Sequence, residues 1–123
     1  MGKCLKKVLF LISIVGLITT CACSHDPTPE ESYALDRAIE YLEIIPMSKD
    51  GIIDQLIYDG CEKDDAAFAA NHCGADWNEQ ADRFVKEFYL EYGYNREELI
   101  DKLITNAKFT QKQAEYAADQ NGW

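Results

Sequence analysis

The strongest constraint on the fold of this chain is that its second half repeats its first. Displaced by 47 residues, Ala81 falls on Ala34, Glu87 on Glu40, Phe88 on Tyr41, Leu99 on Ile52, Ile100 on Ile53, Asp101 on Asp54, Leu103 on Leu56 and Ile104 on Ile57. The stretches GIIDQLI and ELIDKLI are therefore one element written twice. One extra residue near Lys108 raises the displacement to 48, and Ala114, Tyr116, Ala117, Ala118 and Gly122 then fall on Ala66, Phe68, Ala69, Ala70 and Gly74. A period of this size marks a small supersecondary unit used twice. The expected division is a first module over 33–75 and a second over 76–123, each with a tiny core that gains by packing on its neighbour.

Each module reads as three short helices, and the fold class as all-α, because no stretch alternates convincingly enough to be a strand. In the first module, Leu35, Ala38, Ile39, Leu42 and Ile45 recur at helical spacing until Pro46 stops the run. Ser48 is placed to cap a second helix with Ile52, Ile53, Leu56 and Ile57 on its apolar face, and Gly60 ends it. A third helix is expected from near Glu62 to Gly74, a residue suited to a left-handed C-terminal cap. In the second module, Asp76 with Glu79, Asn95 with Glu98 and Thr110 with Gln113 have capping-box spacing ahead of three helices, the first running to about Tyr92. The aromatics Trp77, Phe84, Phe88, Tyr89 and Tyr92 are expected in the core or between the modules.

Ahead of the modules, Lys3, Lys6 and Lys7 precede an uncharged apolar run from Val8 to about Thr19, the layout of an export signal over 1–22. The run closes on LITTCAC, which resembles a bacterial lipobox. Cys21 has an aliphatic residue, Ile18, three places before it but Thr20 beside it; Cys23 has the small Ala22 beside it, and is favoured as the lipidated residue. Cleavage without lipidation and an uncleaved N-terminal anchor are the alternatives, and all three export the rest. Residues 23–32, SHDPTPEES with its leading cysteine, read as a flexible tether in which His25, Pro27 and Pro29 are unstructured.

Export changes the charge balance. All 22 acidic residues follow Cys23 and three of the 12 basic ones precede it, so the mature chain carries a net charge of −13. Such a chain is repelled by phosphate backbones, which excludes DNA or RNA as a partner. The negative charge is also lopsided: residues 34–80 carry a net −8 and residues 81–123 a net −2. Asp50, Asp54, Asp59, Glu62, Asp64 and Asp65 surround the second helix of the first module and the turn after it. They form either a solvated, solubilising face or a surface that attracts a basic protein segment.

The phrases GIIDQLIYDG and NHCGADWNEQA, in tandem modules behind a lipoprotein signal, resemble the Ltp family of host-cell-surface-exposed lipoproteins. The likeness covers Tyr33 to Trp123 and the lipobox. Gly74, Asp76, Trp77, Asn78 and Glu79 carry it most specifically, since generic helix composition does not produce that combination. The second module departs from the pattern, ending in QNGW where the first continues GADW. The resemblance implies tandem helix-turn-helix-like repeats held by an N-terminal lipid outside a Gram-positive cell membrane. It further implies superinfection exclusion, in which the tape measure protein of an incoming phage is engaged and DNA entry is blocked.

Other chemistries find little support. Cys61 and Cys73 bracket the third helix roughly 18 Å apart, too far for a disulfide, and are expected to fill small apolar sites. With His72 they match no common zinc spacing, and no DxDxDG calcium loop occurs, so no metal or cofactor is expected. No Ser, His and Asp set and no glycine-rich phosphate loop is present, and the chain is read as a monomeric binding protein rather than an enzyme. Two classes remain: a protein that intercepts a phage component at the cell surface, and an envelope lipoprotein that binds a host surface component.

Overall fold

The structure is a computed structural model that describes residues 25–123. The export signal and both candidate lipidation sites, Cys21 and Cys23, lie outside the described residues. Among the described residues the chain forms six α-helices and no strand. They are α1 (Pro29–Ile44), α2 (Lys49–Tyr58), α3 (Lys63–His72), α4 (Trp77–Phe84), α5 (Arg96–Thr105) and α6 (Gln111–Gln120).

The first helix starts earlier than expected, inside the segment read as tether. Pro29 is its first residue, with the fixed φ that suits that position. Thr28 accepts from the Glu31 backbone N–H while Glu31 accepts from that of Thr28, a complete capping box. The tether expected over 23–32 therefore ends by Thr28, because four of those residues carry a helix-initiation signal. His25 is also engaged, with its Nε2 2.9 Å from Glu31.

The α1 face differs from the expected one by a small rotation. Ala34, Ala38 and Leu42 are buried, at steps of four, whereas Ile39 and Ile45 lie at the edge of that stripe, 39% and 38% exposed. Small residues win because α1 lies close along α3, whose own buried positions are Ala66, Ala69 and Ala70. Alanine on both sides lets the helix axes approach, and Ile52 and Leu56 of α2 fill the remaining space.

The second module builds its core at equivalent places. Ala81, Val85, Leu99, Leu103, Ala114, Ala117 and Ala118 are buried where the first module buries Ala34, Ala38, Ile52, Leu56, Ala66, Ala69 and Ala70. Phe109 occupies the position of Cys61 and is buried to 3% exposure. The capping boxes at Asn95 and Thr110 are both complete. At Asp76 only half of the expected box forms: its carboxylate accepts from the Asn78 and Glu79 backbone N–H groups.

The helix expected to reach Tyr92 changes character on the way. After Phe84 the backbone widens to a π-helical turn over Val85–Tyr89, then leaves the helix before Gly93. Phe84 and Tyr89 pack on the second core and Trp77 on the first, but Phe88 and Tyr92 face solvent. Two of the five aromatics expected in the interior are thus on the surface.

The connection from α3 to α4 turns on Gly74, at φ +73, and Asp76 begins the next helix directly. Across the junction the Arg83 side chain donates to the Leu42 carbonyl at 2.9 Å, and the Met47 N–H donates to the buried Gln80 side chain at 3.3 Å. Lys108 pairs with Asp54. The modules thus have separate apolar cores, joined by these polar contacts and by Trp77, which packs from α4 on the first core.

Candidate functional site

The N-terminal turn of α1, the turn between α2 and α3 and the first turn of α3 meet at one end of the first module. They enclose a groove of about 490 Å³ lined by Pro29, Glu30, Tyr33, Asp59, Cys61, Glu62 and Asp65. Four carboxylates line one opening, and the Tyr33 ring, 52% exposed, stands among them. The local reason for this clustering is helix initiation. Glu30 and Glu31 occupy the first turn of α1, and Asp64 and Asp65 that of α3, where the unpaired backbone N–H groups favour negative charge.

The charges are crowded enough to oppose one another. Asp65 has its pKa raised above the ordinary carboxylate value, first by desolvation and then by repulsion from Glu31, Glu30, Glu62 and Asp64. Glu31 is shifted the other way, chiefly because its carboxylate accepts the Thr28 backbone N–H. The Cys61 thiol in the same groove is pushed up by desolvation and by Asp59 and Asp65, which keeps it protonated and a poor nucleophile.

The six acidic residues singled out from the sequence do not form one surface. Asp59, Glu62 and Asp65 line the groove, and Asp64 is exposed beside it on α3. Asp59 is already occupied on its inner side: the Tyr41 hydroxyl donates to it at 2.5 Å, Gln55 donates at 3.2 Å, and Arg37 lies 3.9 Å away. Asp54 lies instead at the module junction, with Asp50 on the same helix, and is paired with Lys108. Glu30 belongs to the groove and was not among the six, because it lay in the presumed tether. The pattern Thr28, Pro29, Glu31 was the signal that could have placed it on a helix.

The remaining expected positions have mainly structural surroundings. Gly74 adopts the left-handed conformation, Asp76 caps α4, and Trp77 packs on the first core; Asn78 and Glu79 are exposed on the first turn of α4. Cys61 and Cys73 are free thiols packed partly against the first core. His72 stacks on Phe68 with ring centroids 4.0 Å apart, and its Nδ1 donates to the Phe68 carbonyl at 2.7 Å. Among the described residues no three His, Cys, Asp or Glu side chains are grouped to hold a metal ion, and no helix is long and apolar enough to cross a membrane. What the geometry does gather is negative charge around one open groove at the surface.

The six helices of the described residues form an all-α fold that matches the structure of Ltp. Residues 30–73 match the model of the host cell surface-exposed lipoproteins, the Ltp family, so the resemblance carried by the sequence is borne out. The chain is similar in structure to Ltp, a superinfection exclusion protein from the Streptococcus thermophilus temperate phage TP-J34. The TM-score is 0.70 at 28% sequence identity, over 76% of this chain and 97% of that one, a span that neither module could supply alone. No curated protein matches the chain.

Proposed function

We propose that this chain is a lipid-anchored protein on the outer face of a Gram-positive cell membrane, and that it excludes superinfecting phage. In this reading Cys23 carries the lipid, and the first module engages a basic segment of the incoming phage's tape measure protein, so that DNA injection stops at the membrane. The observation that carries the reading is the concentration of charge on the first module, a net −8 over residues 34–80, with Glu30, Asp59, Glu62 and Asp65 drawn together around one groove. A basic segment is attracted to such a surface over a range that salt shortens, so the encounter is fast at low ionic strength and weakens as salt rises. The similar structure of a phage-encoded superinfection exclusion protein supports the biological setting.

The test is phage DNA injection into a susceptible host that expresses the full chain, beside a variant with Cys21→Ala and Cys23→Ala. Continued adsorption with failed injection, lost in the double variant, is the expected result. Injection that proceeds normally across a broad phage panel would overturn the proposal and favour an envelope lipoprotein that binds a host surface component.

A further inference from the structure

A second groove, of about 440 Å³, runs along the junction of the two modules. Its apolar walls come from both sides, Met47 and Tyr58 from the first module and Phe84 and Ala107 from the second. Tyr58 stands at the rim, 87% exposed. Asp54 marks the acidic edge, and Lys108 crosses from the second module to pair with it. The Lys108 ammonium has its pKa raised, first by this hydrogen bond and the charge of Asp54, and further by Asp50.

The backbone at Lys108 is unusual. It is at φ +62, and among the described residues no other non-glycine residue has a positive φ. Under the displacement of 48, Lys108 stands where the first module has Gly60, at φ +103. Glycine takes this conformation freely, whereas a side chain is strained in it. Strain held at one position is a reason to ask what its side chain does. Here it lays a cation on Asp54.

We propose that the inter-module groove docks a basic amphipathic segment of a protein partner, which seats an apolar side chain against Met47, Tyr58 and Phe84 and replaces Lys108 on Asp54 with its own Lys or Arg. This rests on the reading of the chain as a binder of a basic protein segment, and supplies that reading with a second contact surface and a requirement on partner shape. Charge complementarity selects the occupant. Asp50 and Asp54 present negative charge beside an apolar trough, so a segment with cations alone satisfies half of the site and an amphipathic helix satisfies both. Lys108 occupies the partner's place while the groove is empty. Its side chain and that of Asp54 are 53% and 54% exposed, so the exchange of one cation for another proceeds in solvent at little cost.

The test uses two fluorescent peptides of equal positive charge, a leucine–lysine amphipathic helix and a serine–lysine coil. Each is titrated with the full chain in phosphatidylcholine nanodiscs, against empty nanodiscs, by anisotropy. The amphipathic peptide is expected to bind more tightly. Lys108→Gly, which removes the competing cation and suits the backbone, should tighten it by about three- to fivefold, the scale of an exposed ion pair. Lys112→Ala makes the same change of net charge away from the groove and should shift binding by no more than about 1.5-fold. Asp54→Asn should abolish the gain from Lys108→Gly, and Tyr58→Ser should weaken the amphipathic peptide while leaving the coil unchanged. Equal shifts for Lys108→Gly and Lys112→Ala, or no effect of Tyr58→Ser, overturn the groove and leave the acidic-surface reading standing. Failure of both peptides to bind overturns the two together.

Discussion

Leu103→Ala tests whether the two modules stand on separate cores. Leu103 is fully buried on α5 among Ala81, Val85, Leu99, Phe109 and the alanines of α6, and none of the first core's buried residues belongs to that cluster. Truncating a buried leucine costs about 3–5 kcal/mol where the surroundings cannot collapse into the space. Alanines on the facing helix cannot extend to fill a cavity, so a loss toward the upper part of that range is expected. A module of roughly 45 residues, at about 0.05–0.15 kcal/mol per residue, has a total of about 2–7 kcal/mol to lose. The substitution should therefore leave the second module largely unfolded. Because the contacts that join it to the first are few, Trp77 on the first core and polar contacts such as Arg83 to Leu42 and Lys108 to Asp54, α1 to α3 should persist. Native-state hydrogen exchange of the full chain distinguishes the cases. Amides of α4 to α6 are expected to lose protection while those of α1 to α3 keep most of theirs. Equal loss in both halves would refute the reasoning and make the junction part of one cooperative unit.

Two smaller perturbations follow from backbone and charge. Gly74→Ala places a Cβ at φ +73 with no heavy atom within 4 Å, so its cost is backbone strain alone, about 1–2 kcal/mol, read as a lower urea midpoint with an unchanged slope. Asp65→Asn removes a carboxylate whose pKa is raised in the folded state: its charged form weakens the fold at neutral pH, and the penalty vanishes below its ordinary value of 3.8. The variant should therefore melt higher than the natural chain at pH 7 and no higher at pH 3, whereas a gain that persists at pH 3 would point to a cause other than charge.

Much of the local structure was legible in the residues because its causes are local. Ser48, Asn95 and Thr110 cap helices as their spacing indicated, since a cap involves only the next few residues. The capping box at Thr28 was equally legible in principle, but the prolines of a presumed tether obscured it. The burial of Phe88 and Tyr92 was not decided by their apolar character, because the π-helical turn after Phe84 and the early end of the helix redirect that segment. The acidic residues were visible as a group in sequence but separate in space, with Asp59, Glu62 and Asp65 lining one groove and Asp54 another, since α2 carries Asp54 toward the second module while its C-terminal turn carries Asp59 toward α1.

By itself the sequence determined that the chain is helical, that it is built twice from one pattern, and which positions of the two copies correspond. Those properties follow from periodicity and from caps, which act over a turn or two of helix. Only the tertiary structure decided which stripe of α1 faces α3, that Tyr41 and Gln55 hold Asp59, and that Lys108 reaches Asp54 from 54 residues away. These depend on how closely alanine-lined helices approach and on how one module is turned against the other. Local spacing does not record that, because contacts between distant segments arise from the packing of whole helices.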